Sequence, residues 1–151
     1  MPYIIDGHNL IGFLPDISLR DINDEQLLIS MLDKYFKHIR KKAIVFFDQG
    51  SLMSFNQFKS AFVEVKFIRP PKTADEAIIN KLKSLKGNAK NYKVVSSDNW
   101  VSTNSLRAGA NVISSEIFGK MMIKINQTDH KNINSSINNI DYWLNRFESD
   151  S

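Results

Sequence analysis

Cysteine is absent from the 151 residues, which removes disulfides, thiolate metal sites and cysteine nucleophiles together and leaves any catalysis to oxygen and nitrogen groups. No apolar run is long enough to span a bilayer, and the opening Met1-Pro2-Tyr3 leads straight into a strand pattern without a basic-then-apolar leader, so the chain is expected to work in the cytoplasm and away from membranes. No Gly-x-Gly-x-x-Gly turn comes after the first apolar run and no Walker lysine motif occurs, which argues against a nucleotide-binding dehydrogenase or a P-loop enzyme. There is no internal repeat. Neither sign of charge dominates: 20 Lys and Arg against 16 Asp and Glu leave a net charge of +4 and a pI near 9.3, a balance that suits a polyanionic partner without requiring one.

What is present is an alternation of strand and helix patterns. Tyr3-Ile4-Ile5 is a short apolar strand stopped by Asp6-Gly7. From Asp24 to Lys42, Leu27, Leu28, Met31, Leu32, Tyr35, Phe36 and Ile39 recur at helical spacing, with acids early and bases late as the helix dipole favours. Ala43-Ile44-Val45-Phe46-Phe47 reads as a strand covered on both faces and stops at Asp48. Residues 51–61 are a short helix or a loop carrying Phe55 and Phe58. Val63 to Ile68 is a strand, Pro70-Pro71 breaks it, and Thr73-Ala74-Asp75-Glu76 opens a helix that runs to Lys86 and ends at Gly87. Tyr92 to Ser97 is a fourth strand ending at Asp98, Asn99 to Arg107 a helix, Asn111-Val112-Ile113 a fifth strand, and Ser114-Ser115-Glu116 the start of a further helix. Asn126 to Asn139 reads as a polar linker. Ile140, Trp143, Leu144 and Phe147 mark a closing amphipathic helix over 140–151. The expectation is one domain over 1–125, a three-layer α/β/α sandwich with a mostly parallel sheet, with the closing helix packed on it.

In such a sheet ligands bind beyond the carboxyl ends of the strands. Asp6, Asp48 and Asp98 each come directly after a strand, and Asp75 opens a helix, so four carboxylates are expected to converge at one edge. Clustered anions repel and raise one another's pKa, and with no Lys or Arg built in they imply a bound cation. Oxygen-only ligands point to magnesium or manganese, and such an ion commonly works on phosphate esters.

At Asp6-Gly7-His8-Asn9, Thr73-Ala74-Asp75-Glu76 and Ser97-Asp98 the chain resembles the YacP-like NYN domains, which are PIN-like ribonucleases; the resemblance runs from residue 3 to about Met122. It implies a PIN-like fold, RNA as substrate, and an acidic metal site in which Asp6, Asn9, Asp75 and Asp98 hold the family's positions, with Asp48 as an additional ligand and Ser97, Thr73 and Glu76 in supporting places. His8 stands where a tyrosine is more usual, so a stacking role for that ring is not carried over. The expected activity is endonucleolytic cleavage of single-stranded RNA. The resemblance leaves open whether that RNA is free, structured or held by the translation machinery.

Each of these residues has a plainer reading. An aspartate after a strand is often a turn former or helix cap, Glu76 has the capping-box spacing from Thr73, and Asn9 is a competent cap or an orienting amide. Lys66, Arg69, Lys72 and Arg107, together with His8, are candidates for RNA contact or ordinary solvated side chains. His38 and His130 read as surface residues. Phe55 and Phe58 either stack on bases or pack. A receiver or phosphatase would put a lysine or threonine at a later strand end, which Ser96-Ser97-Asp98 does not supply. The rival reading is a non-catalytic RNA-binding protein on the same fold; retention of Asp6, Asp75 and Asp98 favours an enzyme.

Overall fold

The computed structural model of the chain describes residues 1–15, 24–48 and 60–131. Its centre is a five-stranded parallel sheet formed by β1 (Tyr3–Asp6), β2 (Ala43–Asp48), β3 (Val63–Ile68), β4 (Lys93–Val95) and β5 (Asn111–Ile113), in the order β3-β2-β1-β4-β5. The chain builds outward from β1 to β2 and β3, then returns to the other side of β1 for β4 and β5. The carboxyl ends of β1 and β4 therefore flank a topological switch point, where an open α/β sheet leaves a crevice.

Five α-helices cover the sheet: α1 (Gly7–Ile11), α2 (Asp24–Ile39), α3 (Ala74–Leu85), α4 (Asn99–Arg107) and α5 (Ser115–Lys131). Strand side chains alternate between faces, and the two cores show which goes where. Tyr3, Ile5, Val45, Phe47 and Val95 pack with Leu10, Leu28, Leu32, Phe36, Phe118 and Met122, so α1, α2 and α5 cover one face. Ile4, Phe46 and Val94 pack with Ala74, Ile78, Leu82 and Val101, so α3 and α4 cover the other. The first core is rich in aromatics; Tyr35 meets Phe36 at 5.1 Å and Phe118 at 5.3 Å in edge-on pairs, a geometry that adds to what burial alone contributes. The expected three-layer parallel architecture is the one observed.

Three details differ from the expectations. No turn separates β1 from α1, because the chain enters the helix directly at Gly7. The helix α3 stops at Leu85, with the left-handed conformation taken by Lys86 (φ 52°) rather than by Gly87, and a 3-10 turn spans Lys86–Asn91. The stretch read as a linker from Asn126 is helical as far as Lys131, and Asn126 and Gln127 are buried; the rest of that stretch, the helix expected over 140–151, and Phe55 and Phe58 lie outside the described residues.

The direct passage from β1 to α1 depends on Gly7. A Cβ placed there would overlap the ring of Phe47, which is fully buried and stacked on Phe67 with centroids 5.4 Å apart. A Cβ at Gly7 therefore forces this packed ring to shift, which is overpacking. Gly7→Ala is expected to cost about 1–3 kcal/mol of stability, and Phe47→Leu in that background should recover part of it, a non-additivity that contacting residues show. Denaturant titration of the two single variants and the double checks this; additive losses would show that the two positions are not in conflict.

Candidate active site

Alternation along the strands already selects one face for the acids. Asp6 lies two residues beyond Ile4, Asp48 two beyond Phe46, and Ser96 two beyond Val94, and those three apolar residues belong to the core under α3 and α4. Asp6 and Asp48 therefore leave the sheet on the side where α3 begins, which is where Asp75 sits.

Asp6 is the centre of this arrangement. It is 6% exposed, stands at the N-cap position of α1, and yet makes no capping bond there. Its Oδ2 instead accepts a hydrogen bond of 3.0 Å from the Ser96 hydroxyl. Ser96 Oγ also accepts from the backbone N–H of Asp98 at 3.1 Å, so one buried hydroxyl ties the two strand-end acids together across the switch point. The Asp6 carboxyl is raised to about 6, chiefly by burial, against the pull of the Ser96 bond, with the charges of Asp75, Asp98 and Asp48 contributing to the rise. Asp75 is also raised, first by burial and then by Asp98, Asp48 and Glu76. The four acids thus sense one another as an electrostatic cluster.

The capping readings hold for two of them without removing them from that cluster. Asp98 Oδ1 accepts from Val101 N–H at 2.9 Å, capping α4. Asp48 Oδ1 accepts from Ala74 N–H at 2.7 Å, which fixes the first turn of α3 and hence Asp75 to the end of β2. Each of the three strand-end carboxylates commits one oxygen to the protein in this way. Thr73 caps α3 through Glu76 N–H at 3.2 Å, while the Glu76 carboxylate acts on Asp75 through its charge.

Asn9 and Ser97 belong to a clamp beside the acids. Asn9 Oδ1 accepts from Ser97 N–H (2.8 Å) and from the Ser115 hydroxyl (2.7 Å), and Ser97 Oγ accepts from Ser115 N–H (2.9 Å). The clamp joins α1, the end of β4 and the start of α5, so the Asn9 oxygen is engaged in holding these three segments together. Ser96 and Ser115 had no place in the sequence-based site; a small polar residue continuing the inward alternation of a buried strand is the signal that would have marked Ser96. His8 stands at the other side of Asp6, its Nε2 2.8 Å from the buried Glu25 and its ring 5.1 Å from Phe47.

The basic candidates separate by position. Arg69 and Lys72 are exposed in the turn between β3 and α3, close in sequence to Asp75. Lys66 is exposed on β3 and 3.6 Å from Glu64. Arg107 ends α4, whose first residue adjoins Asp98, so its backbone stands about 13 Å down the helix from that acid.

Oxygen donors and surplus negative charge suit a hard divalent cation. The ion pairs of Lys37, Lys66 and Lys120 go to Asp33, Glu64 and Glu116 and not to the four acids, and among the described residues no group of three His, Cys, Asp or Glu side chains stands close enough to grip one ion directly. Magnesium usually keeps several waters and takes only one or two carboxylates, so the donor set fits a hydrated ion and not a dedicated all-protein cage.

The raised Asp6 carboxyl has a sign in stability. Its folded pKa of about 6 exceeds the ordinary 3.8, so the native state binds the proton more tightly, and the group destabilises the metal-free protein above about pH 6, an effect that fades as the pH falls toward 4. Asp6→Asn should therefore raise metal-free stability at pH 8 by on the order of 1–3 kcal/mol, with the gap closing toward pH 4. Thermal melts of both proteins across that range test this; a gap that is negative at pH 8, or independent of pH, would contradict it.

No curated protein matches the chain. In structure it is similar to Rae1 (YacP) from Bacillus subtilis, with a TM-score of 0.72 and 23% identity over 88% of this chain and 79% of that one. A second crystal structure of that protein, bearing a tryptophan-to-leucine substitution, gives 0.70 and 24% over 90% and 84%. The YacP-like NYN domain family matches residues 3–149, so the match extends beyond the motifs into the C-terminal section. By that match the chain belongs to the YacP-like NYN domain family of PIN-like ribonucleases.

Proposed function

We propose that this protein is a metal-dependent endoribonuclease that hydrolyses phosphodiester bonds in single-stranded RNA at the Asp6 crevice. The observation that carries the reading is the buried Asp6 carboxyl, held at the switch point by Ser96 and pushed up to about 6 with three further acids acting on it. Asp48 and Asp98 each use one oxygen to fix a helix start, but the mutual repulsion of the four charges gives the fold nothing, whereas it suits a phosphodiesterase that binds a cation there.

Asp6, Asp75 and Asp98, with Asp48, would hold magnesium or manganese, which supplies positive charge at the scissile phosphate and eases deprotonation of the attacking water. The residues' own tasks follow from their bonds. Ser96 orients Asp6, the N-cap bond fixes Asp98, and Asp48 anchors the start of α3 so that Asp75 faces the crevice. Arg69 and Lys72, exposed in the turn before α3, would meet the phosphates of an incoming strand. The crevice takes a single bent backbone, and A-form pairing would hold both strands too rigidly to enter. No described helix is long and apolar enough to cross a membrane.

Asp6→Asn, Asp75→Asn and Asp98→Asn should each abolish cleavage of a labelled oligoribonucleotide with the circular dichroism spectrum unchanged, while Asp48→Asn and Glu76→Gln should lose about ten- to a hundredfold. Chelator should stop the wild type, magnesium or manganese should restore it, and calcium should restore it poorly. The same two ions should raise the melting temperature of wild type more than that of Asp6→Asn. Normal turnover by the three Asn variants, or full activity in excess chelator, would refute the reading; RNA binding with no cleavage under any of these ions would favour a non-catalytic RNA-binding protein.

The substrate form is tested with one sequence offered as single-stranded RNA, duplex RNA and single-stranded DNA under one metal and one salt concentration. Single-stranded RNA should be cut fastest, and equal rates on all three would leave only a general phosphodiesterase. Charge reversal at Arg69 or Lys72 should weaken binding and flatten its salt dependence. The same change at Arg107, well down α4 from the acids, should do so much less.

A further inference from the structure

Trp100 is unusual among the aromatic residues of this fold. The described core hides its large rings: Tyr35, Phe36, Phe47 and Phe118 are all but fully buried. Trp100, by contrast, is 49% exposed, and it lies two residues after Asp98 in the first turn of α4. Of the described aromatics only Phe13, in the turn after α1, is also classed with the exposed large apolar side chains. An indole is a costly group to leave in water, since its flat apolar surface gains most when it is covered.

The local backbone fixes where the ring stands. Asp98 caps α4 through Val101 N–H, and the Trp100 carbonyl accepts a hydrogen bond of 2.8 Å from Asn104 Nδ2 one turn later. The first turn is therefore held from both sides. Side chains on a helix lean toward its N-terminus. For α4 that end is the carboxyl edge of the sheet, where Asp98 caps the helix and donates its N–H to Ser96 Oγ, so the Trp100 side chain is directed along the helix axis toward that edge.

We propose that Trp100 is a stacking platform for an unpaired nucleobase of the RNA strand whose phosphate enters the crevice, an assignment that rests on the reading of the Asp6 crevice as an RNA site. A flat exposed ring beside a phosphate-handling site binds any base through its π-face, which gives affinity for single strands with little sequence preference. It also discriminates by pairing state, because bases in a duplex are already stacked and cannot cover the indole.

The experiment measures binding of a short single-stranded oligoribonucleotide, and of an all-abasic oligomer of the same length and charge, by fluorescence anisotropy in magnesium. The full chain is used in the Asp75→Asn background, and wild-type cleavage is assayed in parallel. Trp100→Ala should weaken the base-bearing strand by about five- to a hundredfold, the range of a lost base–aromatic stack, and the abasic strand by less than about twofold. Trp100→Phe should keep most of the affinity. Charge reversal at Lys72 should weaken both strands alike, and an unchanged melting temperature in Trp100→Ala separates a lost contact from a lost fold. Equal affinity of Trp100→Ala and its parent for the base-bearing strand, equal losses on both strands, or no binding of either strand by the parent would each overturn the proposal, the first meaning that the exposed indole serves another surface. Binding with this pattern but without wild-type cleavage would uphold the stacking platform and sink only the nuclease reading.

Discussion

Everything at the carboxyl edge of this sheet turns on the placing of one carboxylate, Asp6, out of water and among other carboxylates. Such a placement is unfavourable by itself, because burial penalises the charged form and like charges add to the penalty. It persists because Asp6 is the last residue of the central strand, with Ile4 and Ile5 before it fully buried in the two cores. The cores on both faces over-determine where β1 ends, and the acid has to go with it. The only hydrogen bond to its carboxylate among the described residues comes from Ser96, which orients the group without neutralising it.

The surrounding hydrogen bonds have a common logic. Asp48 to Ala74, Asp98 to Val101, and Asn9 to Ser97 and Ser115 each join a strand end to a helix start. The Asp48 and Asp98 bonds satisfy backbone donors that a helix N-terminus leaves without partners, while Asn9 takes the Ser97 N–H and the Ser115 hydroxyl, and together they hold the acids' positions relative to one another. Capping and site-building are therefore not alternatives here. One oxygen of a carboxylate caps while its charge still acts on Asp6 and Asp75.

This double use explains why each residue, taken separately, is ambiguous in the sequence. Thr73 with Glu76 has the spacing of a cap, and it is a cap; Asp75 beside them has the same local look and instead faces the other acids. Spacing along the chain reports only the local helix start, whereas the cluster is made by strands 90 residues apart, as Asp6 and Ser96 are. Gly7 is a similar case. A sequence shows a glycine after a strand as a turn former, but the fold needs it because the Phe47 ring leaves no space for a Cβ.

Local pattern was enough to determine the alternation of strands and helices, the parallel sheet, and the strand-end aspartates at Asp6, Asp48 and Asp98, because hydrophobic periodicity and strand termination are properties of a few consecutive residues. The three signature segments were likewise legible as short motifs. Tertiary structure alone decided that Ser96 is the hydroxyl joining Asp6 to Asp98, that Asn9 clamps Ser115, and that Trp100 is left exposed in the first turn of α4. Those facts depend on strand order and on which face a helix covers. Both are set by how two separate cores close around β1, and no window of neighbouring residues contains that information.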